Sequence, residues 1–349
     1  GFVSRGLGDV YKRQVMCGIY GITANDPGFI ENYLQLCKHR GPDGSNIWST
    51  DDVTLGHNLL SIMADPAMSQ QPWITPKGNR LVYNGEIFNY EELITKHEDF
   101  RNTTGCDTEL LAWGLDKYGS NFIDELDSMH GFAYYDIQNK TITLSRDHAG
   151  IKPLYYARID KGLVFASEIK GMLDVVPDSR ILDNLACSMM TRAGTNPLRN
   201  TLFTNIKKVL PGETIIYNIK SRTVDHVKRT YIRPNANKDY VKDDLKVQFT
   251  NVVRRCAIGK RKIGVFLSGG IDSSIVAYEL NKIKDNVHTF TNRFTPEVSA
   301  DEDYNSDSKV ARRFAKEQNF NHHDVIISPK EYLSACLLYT SDAADDRIC

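Results

Sequence analysis

Met16-Cys17-Gly18-Ile19-Tyr20-Gly21 is the stretch on which the fold of this chain turns. It sets a cysteine directly after a methionine, at the head of a short strand of small residues. With Met16 removed, Cys17 becomes residue one and carries a free α-amine beside its thiol. Such a residue holds nucleophile and base together, because the amine can take the thiol proton without a separate histidine. Taken alone, a cysteine is more often a small buried hydrophobe, so the rest of the chain has to decide.

Composition sets the bounds. A chain of 349 residues suggests two domains. A net charge of -1 argues against nucleic acid or a membrane surface as the main partner. No apolar run approaches the roughly 18 residues of a spanning helix. Seven cysteines without a Cys-x-x-Cys pair read as reduced thiols of a cytoplasmic protein, not a disulfide frame. The ends look foreign to the rest. Residues 1–15 lack the apolar segment of a signal peptide and precede a better start at Met16. Residues 336–349 stop without a domain end, and both stretches resemble translated adapter sequence. On that reading Cys17 is capped as written, and the second domain is cut short.

Between these ends the chain changes character once. Residues 16–232 are rich in short strands, with strand composition at 53–56, 81–83, 132–136, 142–144, 154–156 and 163–165, and helical stretches at 30–37 and 108–118. Antiparallel sheets with packed helices fit this pattern, and residues 206–218 read as a last hairpin turning at Pro211-Gly212. A polar stretch, 233–239, is the expected linker. Residues 233–335 then alternate helix and strand. Leu245, Phe249, Val252, Val253 and Cys256 fall on one helical face. The apolar run 263–267 reads as a strand buried on both faces, and helices are expected through 275–280 and 306–318.

Ser268-Gly269-Gly270-Ile271-Asp272-Ser273-Ser274 sits between strand and helix. Its glycines let backbone approach an anion, its hydroxyls can donate, and the helix N-terminus supplies aligned N–H groups. Asp272 is placed to hold a magnesium ion beside phosphates. The plain alternative is a serine-capped helix after a tight turn. In this strand–loop–helix setting the run resembles the pyrophosphate loop of the N-type ATP pyrophosphatases. Joined to the Met-Cys-Gly-Ile start, it makes residues 16–335 resemble the glutamine-hydrolysing asparagine synthetase family. Other matching runs are His39-Arg40-Gly41-Pro42-Asp43, Asn84-Gly85-Glu86-Ile87, Asp107-Thr108-Glu109, Arg146-Asp147 with Gly150-Ile151-Lys152-Pro153-Leu154-Tyr155-Tyr156, and Phe165-Ala166-Ser167-Glu168-Ile169-Lys170.

The resemblance implies a fold and a set of roles. The fold is an α+β N-terminal-nucleophile glutaminase of αββα layers, followed by an incomplete α/β synthetase domain. Cys17 would attack the glutamine amide, with Asn84 and Gly85 as the oxyanion hole. Leu60, Ser61 and Ile62 would line the glutamine site, and Glu86 and Asp107 would hold the α-ammonium. Leu267, Ser268, Gly269, Gly270, Asp272, Ser273, Ser274 and Asn292 would bind ATP, with Mg2+ on Asp272. Taken alone, Asn84-Gly85 is the strongest short hairpin signal; Glu86-Ile87 and Cys17 make it a site. Within His39–Asp43 and Arg146–Tyr156 no nucleophile stands out, and both read as scaffold and turn chemistry. His322-His323 invites a metal, but consecutive residues on a short segment seldom point the same way.

Two positions depart from the family. Leu59 stands where an arginine usually pairs with the glutamine α-carboxylate, and leucine does not replace a bidentate clamp. Either Arg40 or Arg80 reaches the carboxylate, or backbone near residues 60–62 binds it, or glutamine binds weakly and ammonia is the working donor. Arg293 replaces a usual glycine on the nucleotide-side strand. The expected activity is ATP-dependent amidation of aspartate with glutamine nitrogen, with glutamine, aspartate and ATP as partners and room left for a homodimer. Alternatives are a relative amidating another carboxylate in natural-product or polysaccharide synthesis, a β-lactam-forming relative with an inert glutaminase half, and a non-catalytic scaffold.

Overall fold

The computed structural model describes residues 16–229, 242–295 and 305–333. The expected linker at 233–239 and the two foreign-looking ends lie outside these residues. Contacts divide the chain into two compact units, one on each side of the linker region.

The first unit runs β1 (Gly18–Ile22), α1 (Pro27–Leu36), β2 (Gly44–Ser49), β3 (Thr54–Leu59), β4 (Trp73–Ile74), β5 (Arg80–Ile87), α2 (Tyr90–Lys96), α3 (Asp107–Tyr118), β6 (Ser128–Asp136), β7 (Thr141–Arg146), β8 (Tyr155–Ile159), β9 (Gly162–Ala166), α4 (Asn184–Ala193), β10 (Lys207–Lys208), β11 (Glu213–Asn218) and β12 (Thr223–Arg229). Its strands form two six-stranded sheets, ordered β10-β8-β9-β1-β3-β2 and β12-β11-β7-β6-β5-β4. Every named pairing in them is antiparallel.

Alternation of side chains builds four layers. Ile19, Leu55, Val82, Leu144, Phe165 and Ile215 meet between the sheets. Tyr20 and Ile22, on the other face of β1, pack on Ile30, Tyr33 and Leu34 of α1. Leu81, Tyr83 and Phe132 pack outward on Leu110, Leu111 and Leu115 of α3. The order is therefore helix, sheet, sheet, helix. β1 is buried along its whole length, which explains its small residues. A Cβ on Gly21 would lie 2.2 Å from the Phe165 ring. Asp26 starts α1 by accepting the Phe29 N–H at 3.1 Å.

The expected hairpin at 206–218 is corrected. β10 adds to the edge of the first sheet on β8, whereas β11 joins the second sheet between β7 and β12. Pro211-Gly212, with Gly212 at φ +70°, carries the chain from one sheet to the other. The hairpin partner of β11 is β12.

The second unit contains α5 (Lys242–Cys256), β13 (Gly264–Phe266), α6 (Ile271–Asn281), β14 (His288–Phe294), α7 (Ser306–Glu317) and β15 (Asn321–Ile327). Its strands form a parallel sheet ordered β13-β14-β15. Val253, Leu267, Ala277, Leu280, Ala311 and Ala315 make its core. Two expectations are corrected here. β13 is an edge strand among the described residues, paired to β14 alone, and Phe266 is 80% exposed. On α5, Val253 is buried, but Leu245, Val252 and Cys256 of the expected apolar face are exposed.

Candidate active site

Cys17 precedes β1 and is half-buried. The Leu60 N–H donates to its Sγ at 3.3 Å, and the thiol faces the Leu60 carbonyl at 3.4 Å. Burial pushes the thiol up to about 11, opposed by the Leu60 N–H, Lys152 and Arg40, and reinforced by Asp107. Behind it, Arg40 Nε donates to the Cys17 carbonyl at 3.2 Å, while Nη1 pairs with Glu168 at 2.9 Å. Glu168 also meets His39 at 2.7 Å and Lys170 at 2.9 Å. The runs His39–Asp43 and Phe165–Lys170 thus clamp the residue that bears the thiol.

The same loop shapes the wall beside Cys17. Gly41 lies so close to β3 that a Cβ would be 2.3 Å from the Asn58 carbonyl carbon. Asp43 accepts the Ser61 N–H at 2.9 Å, and its own N–H reaches the Leu59 carbonyl at 3.0 Å. The N–H groups of Leu60 and Ser61 are therefore spent, on Cys17 and Asp43. Of the backbone donors proposed for a glutamine carboxylate, Ile62 alone makes no hydrogen bond to the described residues.

Asn84-Gly85 is not a turn; both residues sit within β5, paired with Gly131 and His130 of β6. Asn84 is 1% exposed, and its Nδ2 has no hydrogen-bond partner among the described residues. Gly85 has no room for a side chain, since a Cβ would lie 2.4 Å from the Met129 carbonyl. A buried amide donor left unmet costs about 1–3 kcal/mol and calls for an explanation. An oxygen that arrives with a ligand supplies one.

Next along β5, Glu86 is 7% exposed. Its carboxyl is pushed up to about 7, by burial first and then by Asp107, against the pull of Lys152. Asp107 opens α3 and accepts the Ile87 N–H at 3.1 Å and the Tyr83 hydroxyl at 3.2 Å. Burial still pushes it up to about 6. Two buried carboxyls with raised values, the charge of Asp107 felt at Glu86, suit a cation that arrives with a ligand.

Leu59 is buried and shares with Leu55 and His57 the face of β3 turned to the other sheet. Of the two arginines weighed for its carboxylate role, Arg80 is turned to Trp48, whereas Arg40 is only partly engaged. Arg80 begins β5, away from Asn84, with its guanidinium over the Trp48 ring. Arg40 spends Nε on the Cys17 carbonyl and Nη1 on Glu168, and its buried Nη2 has no hydrogen-bond partner among the described residues. A residue that sequence reasoning passed over as scaffold does enter the site. Lys152 is buried, and its charge is felt at both Cys17 and Glu86. The signal for it was a lysine inside an apolar run, Gly150 to Tyr156.

In the second unit, Leu267 is buried and its N–H meets the Phe290 carbonyl at 2.8 Å. Gly269 has φ +82°, where a Cβ would lie 2.7 Å from the Asp307 carbonyl. Ser268 and Ser273 hydroxyls lie 3.0 Å apart, and Ser274 donates to the Gly270 carbonyl at 2.8 Å. Asp272 is exposed in the first turn of α6. Asn292 is exposed on β14, two residues beyond Phe290. His322 and His323 point apart, to Thr289 and to His288, each at 2.9 Å.

Residues 16–231 match the family described as glutamine amidotransferase domain, and residues 244–346 match asparagine synthase. Asparagine synthetase [glutamine-hydrolyzing] 2 of Bacillus subtilis is 29% identical over 89% of this chain and 44% of its own length. Asparagine synthetase B [glutamine-hydrolyzing] of Escherichia coli is 27% identical over 92% of this chain and 56% of its own. The chain thus spans about half the length of the curated relatives it matches. A solved glutamine phosphoribosylpyrophosphate amidotransferase from B. subtilis aligns over 91% of this chain and 92% of its own, with 15% identity and a TM-score of 0.47. On the match over residues 16–231, the chain belongs to the glutamine amidotransferase domain family, and an asparagine synthase segment follows that domain.

Proposed function

We infer that the chain serves ATP-dependent amidation of aspartate to asparagine, with nitrogen taken from glutamine. The unmet Asn84 Nδ2, in a layer of the fold that also carries Glu86 and faces Asp107, is the observation that supports this most. Cys17 Sγ attacks the glutamine amide carbon and passes its proton to its own α-amine. The oxyanion takes the Asn84 amide and the Gly85 N–H, where loss of one donor typically costs about 10²–10³ in rate. Ionised Glu86 and Asp107 hold the α-ammonium, and residues 60–62 line the pocket. Collapse of the tetrahedral adduct releases ammonia, which leaves with the proton held by the amine, and water then cleaves the thioester to glutamate.

In the second unit the loop 268–274 is proposed to cradle the phosphates of ATP, with Leu267 and Asn292 on the nucleotide side. Gly269, at φ +82° and with its Cβ position against the Asp307 carbonyl, fixes the tight turn that carries this loop into α6. Mg2+ would be held by Asp272, a single carboxylate beside phosphates being an ordinary arrangement, and would neutralise phosphate charge. The aspartate β-carboxylate displaces pyrophosphate to form an acyl-adenylate, and ammonia then displaces AMP. Adenylation is required because oxide is a poor leaving group from a carboxylate. A domain division at 232/233, cytoplasmic residence, and the absence of nucleic-acid and membrane partners belong to the same proposal; among the described residues no helix is long and apolar enough to cross a membrane.

One variant of this reading is that, with Leu59 in place of an arginine, glutamine binds weakly and free ammonia is the donor. Comparing asparagine formation from glutamine and from ammonium, with residues 16–335 joined to the remainder of an asparagine synthase domain, separates the two. Formation from neither, with aspartate and Mg-ATP supplied, refutes the proposal.

A further inference from the structure

Lys152 is 6% exposed. Its backbone N–H is fixed on Asp147 Oδ2 at 3.0 Å, and that carboxylate also takes the His130 N–H, while Oδ1 takes the Ile151 N–H. The Asp147 oxygens are thus occupied by backbone donors. At the far end of the side chain, Nζ lies 3.2 Å from Met16 Sδ. Among the described residues it makes no ion pair. A thioether is a weak acceptor, so this buried ammonium is poorly served. That thioether belongs to the residue whose removal creates the Cys17 α-amine.

The charged groups that face Lys152 come from several elements. They are Cys17 before β1, Arg40 after α1, Glu86 on β5 and Asp147 after β7. Asp107 of α3 faces Cys17 in turn. Arg40 is balanced by Glu168. Lys152 therefore brings a positive charge, without an ion-pair contact among the described residues, to the residue that precedes Cys17.

We propose that Lys152 is a positioning residue for the nucleophile: its ammonium keeps the Cys17 α-amine neutral and favours the thiolate. The sign follows from charge alone. A neighbouring cation opposes protonation of an amine and favours ionisation of a thiol, so both groups reach their reactive forms at lower pH. An α-amine that stays protonated cannot take the thiol proton. The inference rests on the reading of Cys17 as an N-terminal nucleophile and adds a group that acts through it. Burial draws Lys152 itself downward, while Cys17, Glu86 and Asp147 support its charge.

The test uses the chain expressed from Met16, with removal of Met16 verified by mass. Iodoacetamide labelling of Cys17 is followed against pH by peptide mass spectrometry, beside kcat/KM for glutamine. In Lys152→Met the labelling midpoint is expected to rise by about one pH unit or more, and the acid limb of kcat/KM to move with it. Lys152→Arg should restore both. Lys152→Gln serves if the methionine variant does not fold. A folded neutral variant with unchanged midpoint and limb overturns the proposal. If the parent chain hydrolyses no glutamine, the glutaminase reading fails, and the labelling midpoint alone decides the role of Lys152.

Discussion

Asn84→Ala should separate catalysis from stability. The folded chain already carries the cost of the unmet Nδ2, about 1–3 kcal/mol. Alanine removes that donor, and it also removes packing from a side chain that is 1% exposed in β5. Deleting a few buried heavy atoms costs about 1–2 kcal/mol. The two effects oppose each other, so the net change should lie within about 1 kcal/mol. In a domain of this size that moves Tm by about 2–4 °C. Catalysis has no such offset, because the oxyanion loses a donor worth about 2.7–4 kcal/mol, or about 10²–10³ in kcat. Glutamate release and thermal melting should be measured on one preparation. A Tm loss above about 8 °C, with activity falling in proportion, would make Asn84 a core residue and refute the argument. So would a kcat within about threefold of the parent.

Other substitutions probe the walls of the site. Gly85→Ala places a Cβ 2.4 Å from the Met129 carbonyl and 2.5 Å from the Tyr83 ring; overpacking of this kind costs about 1–3 kcal/mol, read as a lower Tm. Glu86 and Asp107 are raised to about 7 and about 6, so the folded state holds their protons more tightly than the unfolded chain. Their effect is to lower stability as pH rises from about 4 to 7. In the proposed binding mode glutamine needs both carboxylates ionised, so in Cys17→Ala its affinity, measured by calorimetry, should be higher at pH 8 than at pH 5.5. Leu59→Arg should lower KM for glutamine about tenfold or more by restoring a charge-assisted clamp. An unchanged KM would mean that the carboxylate lies elsewhere.

Much of this architecture is legible in the residues, and the failures have physical causes. The strand and helix runs of the first unit are visible because β-branched and aromatic clusters alternate with turn residues. Sheet membership is not: β10 contributes two residues, too few for a pattern, and periodicity does not say which sheet a strand joins. The run 263–267 is apolar enough for a central strand, yet β13 has one partner and leaves Phe266 in solvent. Cys17, Asn84 and Glu86 are readable from motifs. Lys152 shows only as a lysine inside the run Gly150 to Tyr156, and its burial beside Met16 is a tertiary fact. Arg40 is readable as a nearby cation, but its fixing on Glu168 and the Cys17 carbonyl is a tertiary fact.

The proposed chemistry turns on Cys17 acting as an N-terminal nucleophile. Glutamate release from glutamine by the chain expressed from Met16, with Met16 removal verified by mass and Cys17→Ala alongside, tests it most directly. Release should vanish in Cys17→Ala and in any preparation that retains a residue ahead of Cys17. Release that survives either change would contradict it, as would a folded, processed chain with Cys17 exposed and no activity.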